Sequence, residues 1–460
     1  MSYLGAAVSL VQHGSYRVPV TPWTAVDTSG MLAHFPPGFP TAIAAPIAVG
    51  LSPIQAARLI VALSAFASAV LLVLLVDTAA GRSAALTAAA GAALTPALVT
   101  VHLSVLSEPL FLALMLATMM ACLARRPGVT GALAAGAVMV RYVGLALAVA
   151  AVIWFLRQPG SWRRRLREAA LAGVPSVVLL GAWVARSSRE AGTRSIRELG
   201  VYGSVSRTIA EGFSTVCDWL APGSTGMRWR AAAVAVAAVV VGAVLAGAWR
   251  AFRRAPADGG GRAPQTVRLA ALVGALYVAM LVTSRVAADP SIPFDDRLLS
   301  PLILLTEIAL VIAAAMWWRR TPDRRAQMVV VAAACVWVVA SAVESGSRVK
   351  EALTDGDDFA STEWRFSPTV AWVRAHAAGV PLYTNWPAAV YFHAQRGSHE
   401  LPRAVDPLTL RRFGERLERQ RGILVGFDAP NAEGVSPDSI ASRLRLRPLA
   451  RLADGAIWGK

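Results

Sequence analysis

HFPPGFP (residues 34–40) runs directly into the apolar stretch TAIAAPIAVGL (residues 41–51). Adjacent prolines with a glycine suit neither a helix interior nor a central strand, so residues 34–40 read as an ordered loop delivering the chain into a membrane. Everything before the loop is short and polar-aromatic, with a short helix expected over Tyr3–His13. Beyond the loop, the chain is mostly apolar to about residue 343. The apolar run at 41–51 is too short to cross a bilayer and is expected to lie at its interface.

Composition agrees with that reading. Hydrophobic residues make up 55% of the 460 and charged residues 16%, with a mean hydropathy of +0.51. A soluble domain carries about 25% charged residues, so the chain reads as an α-helical polytopic membrane protein. Its net charge of +17 comes almost wholly from arginine. The arginines sit between apolar runs rather than on one basic domain, which sets nucleic acid aside as a partner and makes the charge a topology signal. Cys122 and Cys335 fall in apolar runs and Cys217 in a loop, so neither a disulfide framework nor a metal spacing is visible. No basic segment followed by an apolar core marks a cleavable leader in the first 40 residues.

Further apolar runs stand at 53–76, 83–101, 105–124, 129–156, 168–186, 229–250, 267–285, 298–318 and 326–343. A span needs about 20 apolar residues. The run at 129–156 is long, and Arg141–Tyr142 interrupts it. An arginine at mid-depth of a single span is costly, so the run reads as a hairpin of two short helices with Arg141 at the turn. The transmembrane domain is therefore expected over 41–343, with about ten membrane segments, between a first loop (1–40) and a tail domain (344–460). Arginine clusters at 82, 125–126, 157–167, 250–268 and 319–325 alternate consistently only with that hairpin, and the positive-inside rule makes them cytoplasmic. The first loop, the turn at His102–Glu108, the loops at 187–228 and 286–297, and the tail then lie on the other side of the cell membrane. Within the tail, VPLYT, GILVGF and LRPLARL read as short buried strands. SPTVAWVRAHAAG, PAAVYFHAQ and DPLTLRRFGERLERQ read as helices. The alternation predicts a small extracytoplasmic α/β domain.

Taken together, these pieces resemble the polytopic GT-C glycosyltransferases, the group that includes the protein O-mannosyltransferases and the bacterial lipid A aminoarabinose transferases. YLGAAVSLVQHGSYRVP (3–19) with HFPPGFP is similar to that family's first external loop. LSEPLFLALMLA (106–117) resembles its second external turn, and VRYVGLALAVAAVIWFL (140–156) its interrupted helix. FDDRLLSPLILL (294–305) resembles its later helix entry, and WVRAHAAGVPLYTNWPAAVYFHAQR (372–396) fits its external α/β tail. One departure stands out. The family pattern has a first transmembrane helix and an acidic residue shortly before the tyrosine matched by Tyr3, where Met1 and Ser2 stand here. The natural start is expected to lie upstream of Met1; the other reading is a copy that lacks both.

The resemblance implies transfer of a sugar from a polyprenyl-phosphate donor to an extracytoplasmic acceptor, with membrane lipids around the site. Such chemistry needs an acid near the acceptor hydroxyl and cations for the departing phosphate. Glu108, at the start of an otherwise uncharged span, is the first candidate acid; a plain helix N-terminal acid is its other reading. Asp27 is the only acid in the first loop. Arg141 and Arg297 are candidates for the donor phosphate, because a guanidinium fork binds phosphate oxygens in pairs. Two other readings stand: Arg141 pairs with a buried carboxylate such as Glu108, and Arg297 pairs with Asp295 or Asp296. His34, His102 and Tyr142 are candidate substrate contacts. A divalent cation on His34, His102 and Glu108 has no ligand spacing behind it. Two other function classes remain: a lipid or sugar transporter, and a non-catalytic relative acting in envelope assembly. No clear internal repeat supports transport, and a large external domain is atypical of a transporter.

Overall fold

In this computed structural model, the described residues are 2–32, 35–191, 200, 203–224, 226, 228–253, 261–287, 292–321, 323–356, 358–402, 406–428 and 435–460. His34 lies outside them. The chain divides into two compact units. One gathers Met1–Ala57, Ser187–Ser195 and Ala352–Lys460; the other holds Arg58–Arg186 and Ile196–Glu351.

The chain begins with α1 (Ser2–His13), three two-residue strands β1 (Arg17–Val18), β2 (Val20–Thr21) and β3 (Gly30–Met31), and α2 (Gly38–Ala48). α2 starts inside the HFPPGFP stretch, which corrects the expectation of a loop through residue 40. Pro37 is the residue before the helix, and Pro40 sits in its first turn, where a missing N–H leaves no hydrogen bond unmade. Phe39 is fully buried and meets the Tyr3 ring edge-on at 5.3 Å, tying α2 to α1.

The helical unit comprises α3 (Pro53–Ala80), α4 (Arg82–Leu94), α5 (Pro96–Leu103), α6 (Glu108–Leu123), α7 (Pro127–Val140) and α8 (Leu145–Leu156). It continues through α9 (Trp162–Ala191), α10 (Val205–Leu220), α11 (Arg230–Arg253), α12 (Arg262–Ala287), α13 (Asp296–Trp318) and α14 (Arg324–Thr354). Among the described residues, five of these helices are long and apolar enough to cross a membrane: α3, α9, α12, α13 and α14. The run expected as one span at 83–101 is instead a pair, α4 and α5, bent by 64° at Thr95–Pro96. Proline excludes the preceding residue from the helical region, and Thr95 is extended. A further correction concerns the loop at 187–228, which contains α10.

At Arg141 the backbone is extended and a single 3-10 turn leads into α8. The Trp154 indole, near the end of α8, donates to the Cys122 carbonyl near the end of α6, 3.2 Å away. Since α7 begins just after α6 ends, α8 runs back alongside α7. Gly144 allows that return: a Cβ there would lie 2.6 Å from the Ala137 carbonyl carbon. At the same end, Arg319 after α13 donates to the Ala80 carbonyl (2.6 Å), beside the Arg82 turn.

The tail continues with α15 (Thr362–Arg365), α16 (Pro368–His376), β4 (Leu382–Thr384), α17 (Pro387–Ala394) and β5 (Ser398–Glu400). It closes with α18 (Pro407–Arg419), β6 (Ile423–Phe427), α19 (Pro437–Arg443), β7 (Arg447–Leu452) and β8 (Gly455–Gly459). The six-stranded sheet has the order β2-β5-β4-β6-β8-β7. Four strands are parallel, and the β7–β8 hairpin closes one edge antiparallel. Both faces of the sheet are covered: Leu424 packs on Phe413 and Leu417 of α18, while Ile423 and Val425 pack on Val370 and Val373 of α16. That is why ILVGF is an unbroken apolar run. The two residues of β2, from the first loop, form the opposite edge by pairing with Ser398 and His399.

Candidate active site

Three helix ends meet around one carboxylate. Glu108 is the first residue of α6, followed by Pro109, and its side chain is 1% exposed. Arg141 stands at the C-terminal end of α7. Because α6 and α7 run antiparallel, the positive end of one helix dipole carries the acid and the negative end of its neighbour carries the cation. The two side chains form an ion pair through Arg141 Nη1 and Glu108 Oε1. Arg297, in the first turn of α13, donates its Nε to the same oxygen at 2.5 Å. The Ser107 hydroxyl donates to Glu108 Oε2 (3.3 Å) and accepts from Arg141 (3.5 Å).

One carboxylate therefore faces two guanidiniums, and the cluster carries a net positive charge. Arg141 is 13% exposed and Arg297 45% exposed, so the second arginine opens to the surroundings while the first is enclosed. Below them the Tyr277 ring is buried against Phe111 (6.2 Å), and its hydroxyl donates to the Leu298 carbonyl at 2.7 Å. This fixes the first turn of α13 against α6 and α12.

Among the described residues, the other reading of Arg297, a pairing with Asp295 or Asp296, is not formed. Asp295 caps α13 by accepting the Leu298 amide at 2.9 Å. Asp296 accepts from the Trp219 indole (3.0 Å) and pairs with Arg348 (3.4 Å). Arg348 also reaches Glu344 (2.6 Å) and the Thr100 hydroxyl (2.7 Å). Sequence reading missed this group. The four-residue spacing of Glu344 and Arg348, inside an apolar helix, was its only local signal.

The remaining candidates stand apart from this cluster's ion pairs. Tyr142 accepts a hydrogen bond from the Trp183 indole at 3.0 Å. His102 donates its Nδ1–H to the Leu98 carbonyl of its own helix (2.7 Å). It lines an apolar cavity of about 320 Å³ with Ser68, Leu72, Leu112 and Leu304. Asp27 is exposed and belongs to the other compact unit, where its backbone carbonyl accepts from the Thr21 hydroxyl (2.9 Å). That hydroxyl also contacts His399 Nδ1 at 2.9 Å. Burial and the nearby Arg416 hold the His399 ring below the ordinary histidine range. Among the described residues, no three His, Cys, Asp or Glu side chains gather closely enough to hold a metal ion.

No protein-family model matches the chain, and no curated protein sequence matches it. Solved structures do. The crystal structure of ArnT from Cupriavidus metallidurans bound to undecaprenyl phosphate aligns with a TM-score of 0.60 at 14% identity, covering 99% of this chain and 92% of that one. The apo state of the same protein aligns with a TM-score of 0.61 at 13% identity, covering 100% and 92%. Identity at that level carries architecture alone: the chain has the fold of ArnT, a GT-C fold with a helical membrane part and a small sheet-containing C-terminal domain.

Proposed function

We propose that this chain is a membrane glycosyltransferase that takes a sugar from a polyprenyl-phosphate donor and passes it to an acceptor outside the cytoplasm. The observation behind the reading is Arg297: its Nε is engaged by Glu108, while its half-exposed guanidinium keeps two Nη groups for phosphate oxygens. Undecaprenyl phosphate, the ligand of the similar ArnT structure, has that chemistry.

In this reading the acceptor hydroxyl oxygen attacks the anomeric carbon, and the bond from that carbon to the donor phosphate oxygen breaks. The electron pair moves onto the phosphate, where Arg297 and Arg141 offset the growing charge. The hydroxyl proton goes to a carboxylate. Glu108 is poorly suited to take it, being buried with two guanidiniums on its oxygens, and acts by holding both arginines in place. The part of the proton acceptor is tested at Asp27, the acid of the first loop, and substrate contact at Tyr142 and His102.

The engagement of Glu108 also favours a second reading, a relative that binds the lipid phosphate without transfer. The full chain in nanodiscs separates them. Undecaprenyl phosphate should bind, and Arg297→Ala should weaken it about 10- to 100-fold, the equivalent of one or two charge-assisted hydrogen bonds. Asp27→Asn should bind normally and fail to consume a polyprenyl-phosphate sugar from a donor panel. Binding without consumption by the unaltered chain favours the second reading; absence of both sinks the first.

A further inference from the structure

α10 lies in a segment whose sequence reads as a basic loop. Val205, Ile209 and Phe213 recur every fourth residue along it and are 48%, 59% and 65% exposed, forming an apolar row left open among the described residues. Arg207, Glu211, Ser214 and Asp218 share the next face.

The third face grips the chain just before Arg297. The Thr215 hydroxyl donates to the Phe294 carbonyl at 2.6 Å, and the Trp219 indole donates to Asp296. Gly212 lies against the Phe294 ring, where a Cβ would stand 3.2 Å away. Glu211 pairs with Arg285 at the end of α12 (2.5 Å), and that guanidinium lies over the Phe294 ring at 5.4 Å. α10 therefore sits where α12 ends and α13 begins, at one end of the helical bundle.

We propose that α10 is an interfacial helix whose apolar row inserts at the headgroup–acyl boundary of the bilayer and whose inner face sets Arg297 at the depth of a lipid phosphate. The occupant is inferred from continuity. In the chain α10 lies between the long apolar helix α9 and the shorter apolar helix α11, and it packs on the ends of α12 and α13, so its exposed row continues their lipid-facing surface. Its polar edge provides both charge signs for the headgroup layer. Thr215 and Trp219 are then positioning residues acting through Phe294 and Asp296. The depth-setting half rests on the reading of Arg297 as a phosphate ligand; the anchoring half does not.

The test uses the full chain in nanodiscs, with Cys122, Cys217 and Cys335 replaced by serine. Single spin labels are placed by Ile209→Cys, Phe213→Cys and Ser214→Cys. Collision with oxygen should dominate at the first two and collision with a water-soluble nickel complex at the third. Equal access of the nickel complex to all three overturns the anchor. Undecaprenyl phosphate binding is measured in parallel. Thr215→Val and Trp219→Phe should each weaken it about three- to tenfold, while Thr215→Ser, which keeps the hydroxyl, should restore it. Lipid-facing labels with binding unchanged in both variants overturn the depth-setting role. If the unaltered chain binds no undecaprenyl phosphate, the donor reading and the depth-setting role fall together, and the labels still decide the anchor.

Discussion

Glu108 is a carboxylate taken almost entirely out of solvent, and it persists there because two cations and a serine hydroxyl surround it. An isolated charge at that depth would cost several kcal/mol. The same arithmetic makes Arg141 the more dependent partner, since it is enclosed while Arg297 can hydrate. Glu108→Leu should therefore destabilise the helical unit by about 3–5 kcal/mol, because it removes the countercharge of a buried guanidinium. Adding Arg141→Leu should recover a large part of that loss, as an apolar pair replaces the ion pair. Thermal unfolding of the single and double variants in detergent measures both; a double variant as unstable as the sum of two independent losses would contradict the coupling. Glu108 and Arg141 were legible as odd charges in apolar runs. The partner of Arg297 was not, because Asp295 and Asp296 stand beside it in sequence and Glu108 lies 189 positions away.

Among the secondary elements, the least expected is β2. Two residues of the first loop complete the edge of a sheet built almost 400 positions later, and no periodicity exists in a two-residue strand to announce it. Side chains reinforce the pairing: Thr21 reaches His399, and Arg416 donates to the carbonyls of Thr24 and Ala25. Tyr383 stacks on the His399 ring at 4.8 Å. Burial and then Arg416 lower the folded His399 pKa from 6.5, against a weaker opposing pull from the Pro22 backbone and Asp27. As pH falls, the unfolded tail accepts the proton first. The stability contributed by the neutral ring is thus complete above about pH 6.5 and is lost below it. Hydrogen exchange at Val20 and Thr21, corrected for intrinsic rate, should quicken by up to about tenfold per pH unit in that window. His399→Phe keeps a ring against Tyr383 and should leave only the slope due to His393, which burial also lowers. An unchanged slope would remove His399 from the latch. The long apolar helices were readable from their length and β6 from its unbroken apolar run, whereas LRPLARL, expected as a buried strand, forms the exposed edge strand β7. α10 and the bend at Pro96 were not readable, since mixed polarity hid one and an apolar run crossed the other.

Across the whole molecule, charge and site separate by end. Arg319 meets the Ala80 carbonyl beside Arg82, and Arg165 reaches the Leu156 carbonyl, so several arginine-rich turns are anchored to the carbonyls that end neighbouring apolar helices. Glu108, Arg141 and Arg297 gather at the opposite ends of the helices that carry them. An excess of arginine near short loops opposes translocation of those loops. The arginine-rich turns should therefore face the cytoplasm and the candidate site the outside, where a lipid-linked sugar would meet its acceptor. A chain free of native cysteines, carrying either Ser161→Cys in the α8–α9 turn or Leu449→Cys on the tail, tests this in intact cells with a membrane-impermeant maleimide. Leu449 is 48% exposed, so Leu449→Cys should label without permeabilisation. Ser161→Cys should label only after it. The reverse pattern would place the arginine pair on the cytoplasmic face, where donor phosphate binding could still occur but an extracytoplasmic acceptor could not reach it.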